Sequence, residues 1–113
     1  MKGNFRLTNK KDFVKAKSDG QSSKNHLAVL LYNMNNSDSS KVAFVTSKTV
    51  GNAVVRNRVR RVMRACTSEL WSEIYSGWNL VFYARAAGAK ASYREWLLAI
   101  KDLLKRSNLM IND

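Results

Sequence analysis

The sequence is poor in the residues from which proteins usually build reactive or metal-holding sites. Its 113 residues include one cysteine, Cys66, and one histidine, His26. A single thiol cannot close an internal disulfide, and one thiol with one imidazole cannot assemble a structural zinc site. His26 has no Ser, Cys or carboxylate at a spacing that suggests nucleophilic catalysis. Acids are also scarce: Asp12, Asp19, Asp38, Glu69, Glu73, Glu95, Asp102 and Asp113 form no evident constellation for a metal-dependent nuclease. No apolar run approaches the roughly 20 residues of a membrane-spanning helix. The opening MKGNFRLTNKKDF lacks the apolar segment of a secretory signal, so a cytoplasmic protein without a membrane partner is expected. With no internal repeat and no linker, the chain is expected to be one domain over 1–113, fraying at 1–8 and 108–113.

What the chain does have is core-forming material and positive charge. A hydrophobic content of 45% supports one compact core. Twenty Lys+Arg against eight Asp+Glu leave a formal charge of +12, a self-repulsion relieved beside a polyanion.

The local patterns order as helix, strands, helix, strand, helix. Residues 9–17, NKKDFVKAK, read as a short helix ended by Asp19-Gly20. HLAVLLYNM from His26 and KVAFVTS from Lys41 read as an antiparallel strand pair, separated by the polar loop NNSDSS. From Asn52 to Leu70, apolar residues at Val55, Val59, Val62, Met63, Cys66 and Leu70 recur every three or four positions, the longest helical signal in the chain. WNLVFYARA from Trp78 is a further strand, and AAGAKA after it a small-residue loop. Ser92 and Glu95 match a capping box ahead of a last helix whose buried stripe is Trp96, Leu97, Ile100, Leu103 and Leu104. The sum is an α+β domain of αβββαβα order, a two-layer sandwich in which residues 41–85 form a crossover.

The helix from Asn52 places five arginines, Arg56, Arg58, Arg60, Arg61 and Arg64, within nine positions. At about 100° per residue the apolar residues share one sector, and Asn57, Arg60, Arg61 and Arg64 lie opposite, with Arg58 further round. No Asp or Glu occurs between Asp38 and Glu69. A face built only for solvation is usually laced with opposite charges at i,i+4, whereas Arg56, Arg60 and Arg64 repel one another. A lipid surface is disfavoured because the valines are sized to pack on the chain's own sheet. Arginine's planar fork suits bidentate phosphate contact, so RNA or DNA is the favoured partner.

The stretch SKTVGNAVVRNRVRRVMR, Ser47 to Arg64, resembles the signature of the bacterial ribonuclease P protein family: Ser-Lys after a strand, Gly-Asn-Ala, then Arg-Asn-Arg and further basic residues on one helix. The FRL and DF near the start, VLLY, VAFVTS, LVFYAR and the last helix follow in family order, so the resemblance covers almost the whole chain. It implies a ribosomal-protein-type fold with a left-handed crossover between parallel strands. It also implies a subunit of the ribonucleoprotein endonuclease that removes the 5′ leader of precursor tRNA. Catalysis and Mg2+ would then belong to the RNA subunit, with no protein catalytic residue, metal site or small-molecule substrate.

By the same resemblance, Lys48, Gly51, Asn52, Arg56, Asn57, Arg58, Arg60, Arg61 and Arg64 would contact the RNA subunit. Phe13, Lys17 and Tyr32 would meet the leader, Lys17 standing where many relatives have a second aromatic. The loop after Arg85 lacks the lysine and proline often seen there. The competing reading is a structural RNA-binding protein of ribosomal type with no processing role.

Overall fold

The computed structural model describes residues 5–8, 11 and 20–111. Four strands, β1 (Gln21–Lys24), β2 (Ala28–Met34), β3 (Lys41–Val45) and β4 (Trp78–Ala84), form one sheet in the order β1-β2-β4-β3. Two helices, α1 (Ala53–Leu70) and α2 (Tyr93–Arg106), cover one face of it, α1 towards β3 and α2 over β1 and β2. The helix expected over residues 9–17 lies, apart from Lys11, outside the described residues.

The strand pairing differs from the sequence expectation in one respect. β2 and β3 are not partners: β4 lies between them, antiparallel to β2 and parallel to β3. The two most apolar strands, AVLLYNM and WNLVFYA, thereby take the centre of the sheet. β1, with the sequence QSSK, is hydrophilic and sits at an edge, where unpaired backbone can meet water. Parallel pairing of β3 with β4 requires a crossover connection, and α1 provides it.

The core lies between sheet and helices. Leu30, Leu80 and Phe82 meet Val59, Met63 and Cys66 from α1 and Trp96, Ile100, Leu103 and Leu104 from α2. Thr67 joins this buried stripe because its hydroxyl donates to the Met63 carbonyl at 2.9 Å, as a threonine on a packed helix face must. The Ser92–Glu95 capping box forms, with the Glu95 N–H donating to Ser92 Oγ at 3.1 Å and the Ser92 N–H to Glu95 Oε1 at 2.9 Å. These bonds hold the Glu95 carboxyl below its usual pKa.

Part of each chain end that was expected to fray is tied down. Leu7 is buried, and its N–H donates to the Val42 carbonyl at 2.9 Å, extending the sheet beyond β3. At the other end Asn108 turns the chain with φ of 58°, Leu109 and Met110 enter the core, and the Ile111 N–H donates to the Glu73 carbonyl at 2.7 Å. Apolar burial and backbone pairing outweigh the entropy that frees most termini.

Candidate nucleic-acid interface

The arginine helix begins at a tight entry. Gly51 has φ of +153°, and a Cβ there would stand 3.0 Å from Val55 Cβ, so glycine lets the strand-to-helix turn close. Asn52 then caps α1, its Oδ1 accepting from the Val55 N–H at 3.0 Å. Both residues were expected as RNA contacts, and each also has this folding role. Asn52 remains exposed while it makes this bond. The first turn of α1 contains no acid, so nothing on the helix offsets the positive end of its dipole. Lys48, exposed in the turn before it, adds a charge at the same end.

The five arginines have distinct settings. Arg60 reaches the sheet edge, donating to Thr46 Oγ1 at 2.5 Å and also to Asn57 Oδ1. Arg64 lies over the Phe44 ring with its guanidinium carbon 5.5 Å from the centroid, and Phe44 stacks in turn on Phe82 with centroids 5.9 Å apart. Arg58 turns the other way and donates to the Ala89 carbonyl at 2.5 Å, in the 3-10 turn Ala86–Lys90 that follows β4. The side chains of Arg56 and Arg61 make no hydrogen bond or ion pair among the described residues, Arg56 half-buried and Arg61 exposed.

None of the five has an acidic partner among the described residues. Contacts to carbonyl, hydroxyl and ring fix the direction of Arg58, Arg60 and Arg64 without neutralising them. Their charge therefore remains available to an anion while their rotamer freedom is already reduced, which lowers the cost of binding.

The recess beside Arg64, about 180 Å³, is lined by Arg6, Leu7, Thr8, Val42, Ala43 and Phe44. Arg6 thus extends the basic surface from α1 around the edge of β3. Sequence reasoning missed Arg6 and Thr46 as members of this surface. The FRL segment was visible, but its pairing with β3 was not.

The leader residues fare differently. Phe13 and Lys17 lie outside the described residues. Tyr32 faces the helix layer, 8% exposed, with its hydroxyl donating to Gln21 Oε1 at 3.2 Å and its ring tilted against Trp78 at 5.9 Å. Its ring therefore packs with the core on the helix side of the sheet. The face of the sheet turned away from α1 and α2 carries Leu31, Asn33, Ala43, Val45, Val81 and Tyr83 instead. Two polar atoms on that face, Asn33 Oδ1 and the Tyr83 hydroxyl, are buried without a hydrogen-bond partner among the described residues. Burial raises the pKa of the Tyr83 phenol, so it stays a donor.

The described residues hold no group of three or more His, Cys, Asp or Glu able to bind a metal ion. Cys66 is buried in the core, and that burial pushes its thiol up to about 11. Among the described residues no helix is long and apolar enough to cross a membrane.

An arginine face without acids on α1, oriented on the rim of a small α+β domain and extended by Arg6, has the character of a nucleic-acid-binding protein. Comparison with known proteins gives the particular kind. A family model described as Ribonuclease P matches residues 1–108. The ribonuclease P protein component of Clostridium novyi is 38% identical over 111 residues, covering 96% of this chain and 98% of that one. That of Clostridioides difficile is 37% identical over 101 residues, covering 88% and 89%.

Among solved structures, the ribonuclease P protein of Staphylococcus aureus superposes with a TM-score of 0.85 at 23% identity over 94% of this chain and 97% of that one. That of Thermotoga maritima gives 0.81 at 26% identity over 89% and 96%. The chain belongs to the ribonuclease P protein family, protein components of the endoribonuclease that processes the 5′ ends of tRNA.

Proposed function

We propose that this chain is the subunit that holds the catalytic RNA of a cytoplasmic ribonuclease P through α1 and receives the 5′ leader of precursor tRNA on the other face of its sheet. The observation that supports the first half best is the acid-free arginine surface of α1, whose members are oriented but not neutralised. On this reading Lys48, Asn52, Arg56, Asn57, Arg58, Arg60, Arg61 and Arg64 meet RNA phosphates and bases, and Gly51 lets the backbone approach closely.

The leader is single-stranded and variable in sequence, so its site should combine sequence-tolerant apolar contact with a few polar groups. Phe13 and Lys17 remain proposed contacts. In place of Tyr32 we assign Leu31, Asn33 and Tyr83, which share the face opposite the helices and include the two unpartnered polar atoms.

On the family resemblance, Mg2+ and the hydrolytic step are assigned to the RNA subunit. The protein's part is to neutralise phosphates and position the substrate, which matters most when Mg2+ is too scarce to screen the RNA.

The test adds the purified protein to a bacterial ribonuclease P RNA and precursor tRNA at low Mg2+. Leader removal should rise and precursor should bind more tightly. If neither happens, the chain is an RNA-binding protein without a processing role. Cleavage by the protein alone, lost on chelating Mg2+, would instead make it a nuclease.

A further inference from the structure

We propose that the outer face of α2 is a second phosphate-binding surface, on which Arg94, Lys101 and Lys105 hold the backbone of an RNA segment other than the one that meets α1. The proposal rests on the reading of this chain as an RNA-binding subunit, but its residues lie on a different helix from the arginines that support that reading.

The argument is one of charge accounting along a single helix. α2 carries four cations, Arg94, Lys101, Lys105 and Arg106, and two acids, Glu95 and Asp102. Both acids are already engaged. Glu95 accepts the Ser92 N–H in the capping box, and Asp102 pairs with Arg106 at 3.2 Å while accepting from Asn25 Nδ2 at 3.0 Å.

Arg94, Lys101 and Lys105 make no side-chain hydrogen bond or ion pair among the described residues. At about 100° per residue these three lie within roughly 40° of one another, spread along about 16 Å of helix at 1.5 Å per residue. Lys101 and Lys105 are four apart, where like charges on a helix repel. Leu98, 59% exposed, sits within the same stripe and offers an apolar contact for a ribose.

A row of uncompensated cations with one exposed aliphatic residue matches a nucleic-acid backbone better than a lipid surface. A membrane-surface helix must present a wide apolar face, and the apolar face of α2, Trp96, Ile100, Leu103 and Leu104, is no more than 1% exposed because it fills the core. The stripe also lies on the half of the helix layer over β1 and β2, whereas α1 lies towards β3. The phosphates could come from the RNA subunit or from precursor tRNA.

The test is the triple variant Arg94→Gln, Lys101→Gln, Lys105→Gln, whose glutamines keep helix propensity and whose fold is checked by thermal melting. Two salt titrations are run on the full-length protein: binding to ribonuclease P RNA, and binding of precursor tRNA to the assembled holoenzyme. Arg56→Gln with Arg61→Gln on α1 serves as one reference, and Lys24→Gln with Lys90→Gln as another.

In at least one titration, the slope of log affinity against log salt should become shallower by about 2, since each lost phosphate contact contributes about 0.7 to 0.9. The titration that changes names the source of the phosphates. Unchanged slopes in both, with the α1 variant flattening its own, overturn the proposal and leave a solvated face. An equal change per charge in the Lys24 and Lys90 variant overturns it too, because net charge alone would then explain the effect. Failure of the RNA-subunit reading looks different: the unmodified protein would not bind ribonuclease P RNA with steep salt dependence at all.

Discussion

The Tyr83 hydroxyl allows a prediction in which stability and binding move in opposite directions. It is buried without a hydrogen-bond partner among the described residues. Leaving a buried polar group unpaired costs about 1–3 kcal/mol, so Tyr83→Phe should be neutral or stabilising, by up to about 1 kcal/mol, where an ordinary buried tyrosine would lose stability. For a domain of this size that corresponds to a melting temperature unchanged or raised by about 4 °C.

If the leader supplies the missing partner, the same variant loses one neutral hydrogen bond in the precursor complex, about 0.5–1.5 kcal/mol, or roughly 2- to 10-fold in affinity. Mature tRNA, which has no leader, should bind as before, and so should the RNA subunit. The assays are thermal or urea unfolding of the free protein and Kd for precursor and mature tRNA with the reconstituted holoenzyme. Destabilisation by 1 kcal/mol or more would mean that the hydroxyl is already satisfied in the free protein. Equal loss on both tRNAs would remove Tyr83 from the leader site.

Three further outcomes test the fold that positions these surfaces. Gly88→Ala would place a Cβ 2.3 Å from Trp96 Cζ2, and the ring cannot retreat because it is buried and its Nε1–H donates to the Gly88 carbonyl at 3.1 Å. Overpacking of this kind costs about 1–3 kcal/mol, read as a lowered urea midpoint at constant m. Ser92→Ala should cost about 1 kcal/mol. The capping box lowers the Glu95 pKa, so its stabilisation is present above the unfolded carboxyl's pKa and lost as pH falls through the folded one, and Glu95→Gln should flatten that acid dependence in pH-resolved melts.

Cys66, with its thiol raised from 9.0 to about 11, should resist thiol reagents at pH 8 in the folded protein. Because the folded state keeps this proton where the unfolded state releases it, the contribution of Cys66 is full below pH 9 and lost as pH rises towards about 11. The stability gap between the wild type and Cys66→Ala should therefore narrow over that range.

The arginine helix was legible in the sequence because an 18-residue segment repeats its pattern over several turns, and Asn52 and Leu70 bound it as read. The settings of its arginines were not legible. Arg58 is held by the Ala89 carbonyl, 31 positions away, and Arg64 by Phe44 on a strand whose register only the sheet fixes. β1 left no trace because QSSK has no apolar residue from which a period could be read. The ordered C-terminal turn had left a signal, Leu109 and Met110, but two apolar residues beyond a helix have no periodicity and show their role only where Ile74 pairs with Met110.

The side of the sheet on which Tyr32 lies has a more general physical cause. Side chains alternate across a strand, so an error of one position moves a residue to the opposite face. In β2, AVLLYNM, both faces are apolar, and alternation of polarity cannot say which residues look towards the helices. What decides is pairing with β4: Leu30 stands beside Phe82 and Leu31 beside Val81, which puts Tyr32 with the core and Asn33 on the far face beside Asn79. The helix tolerates imprecision because its basic arc is broad, and shifting one arginine by a position leaves the arc basic. A site on a strand apolar on both faces has no such tolerance. Its residues can be named only once the neighbouring strand is known, and here that neighbour is the last strand in the chain, contributing Tyr83 from beyond the whole of α1.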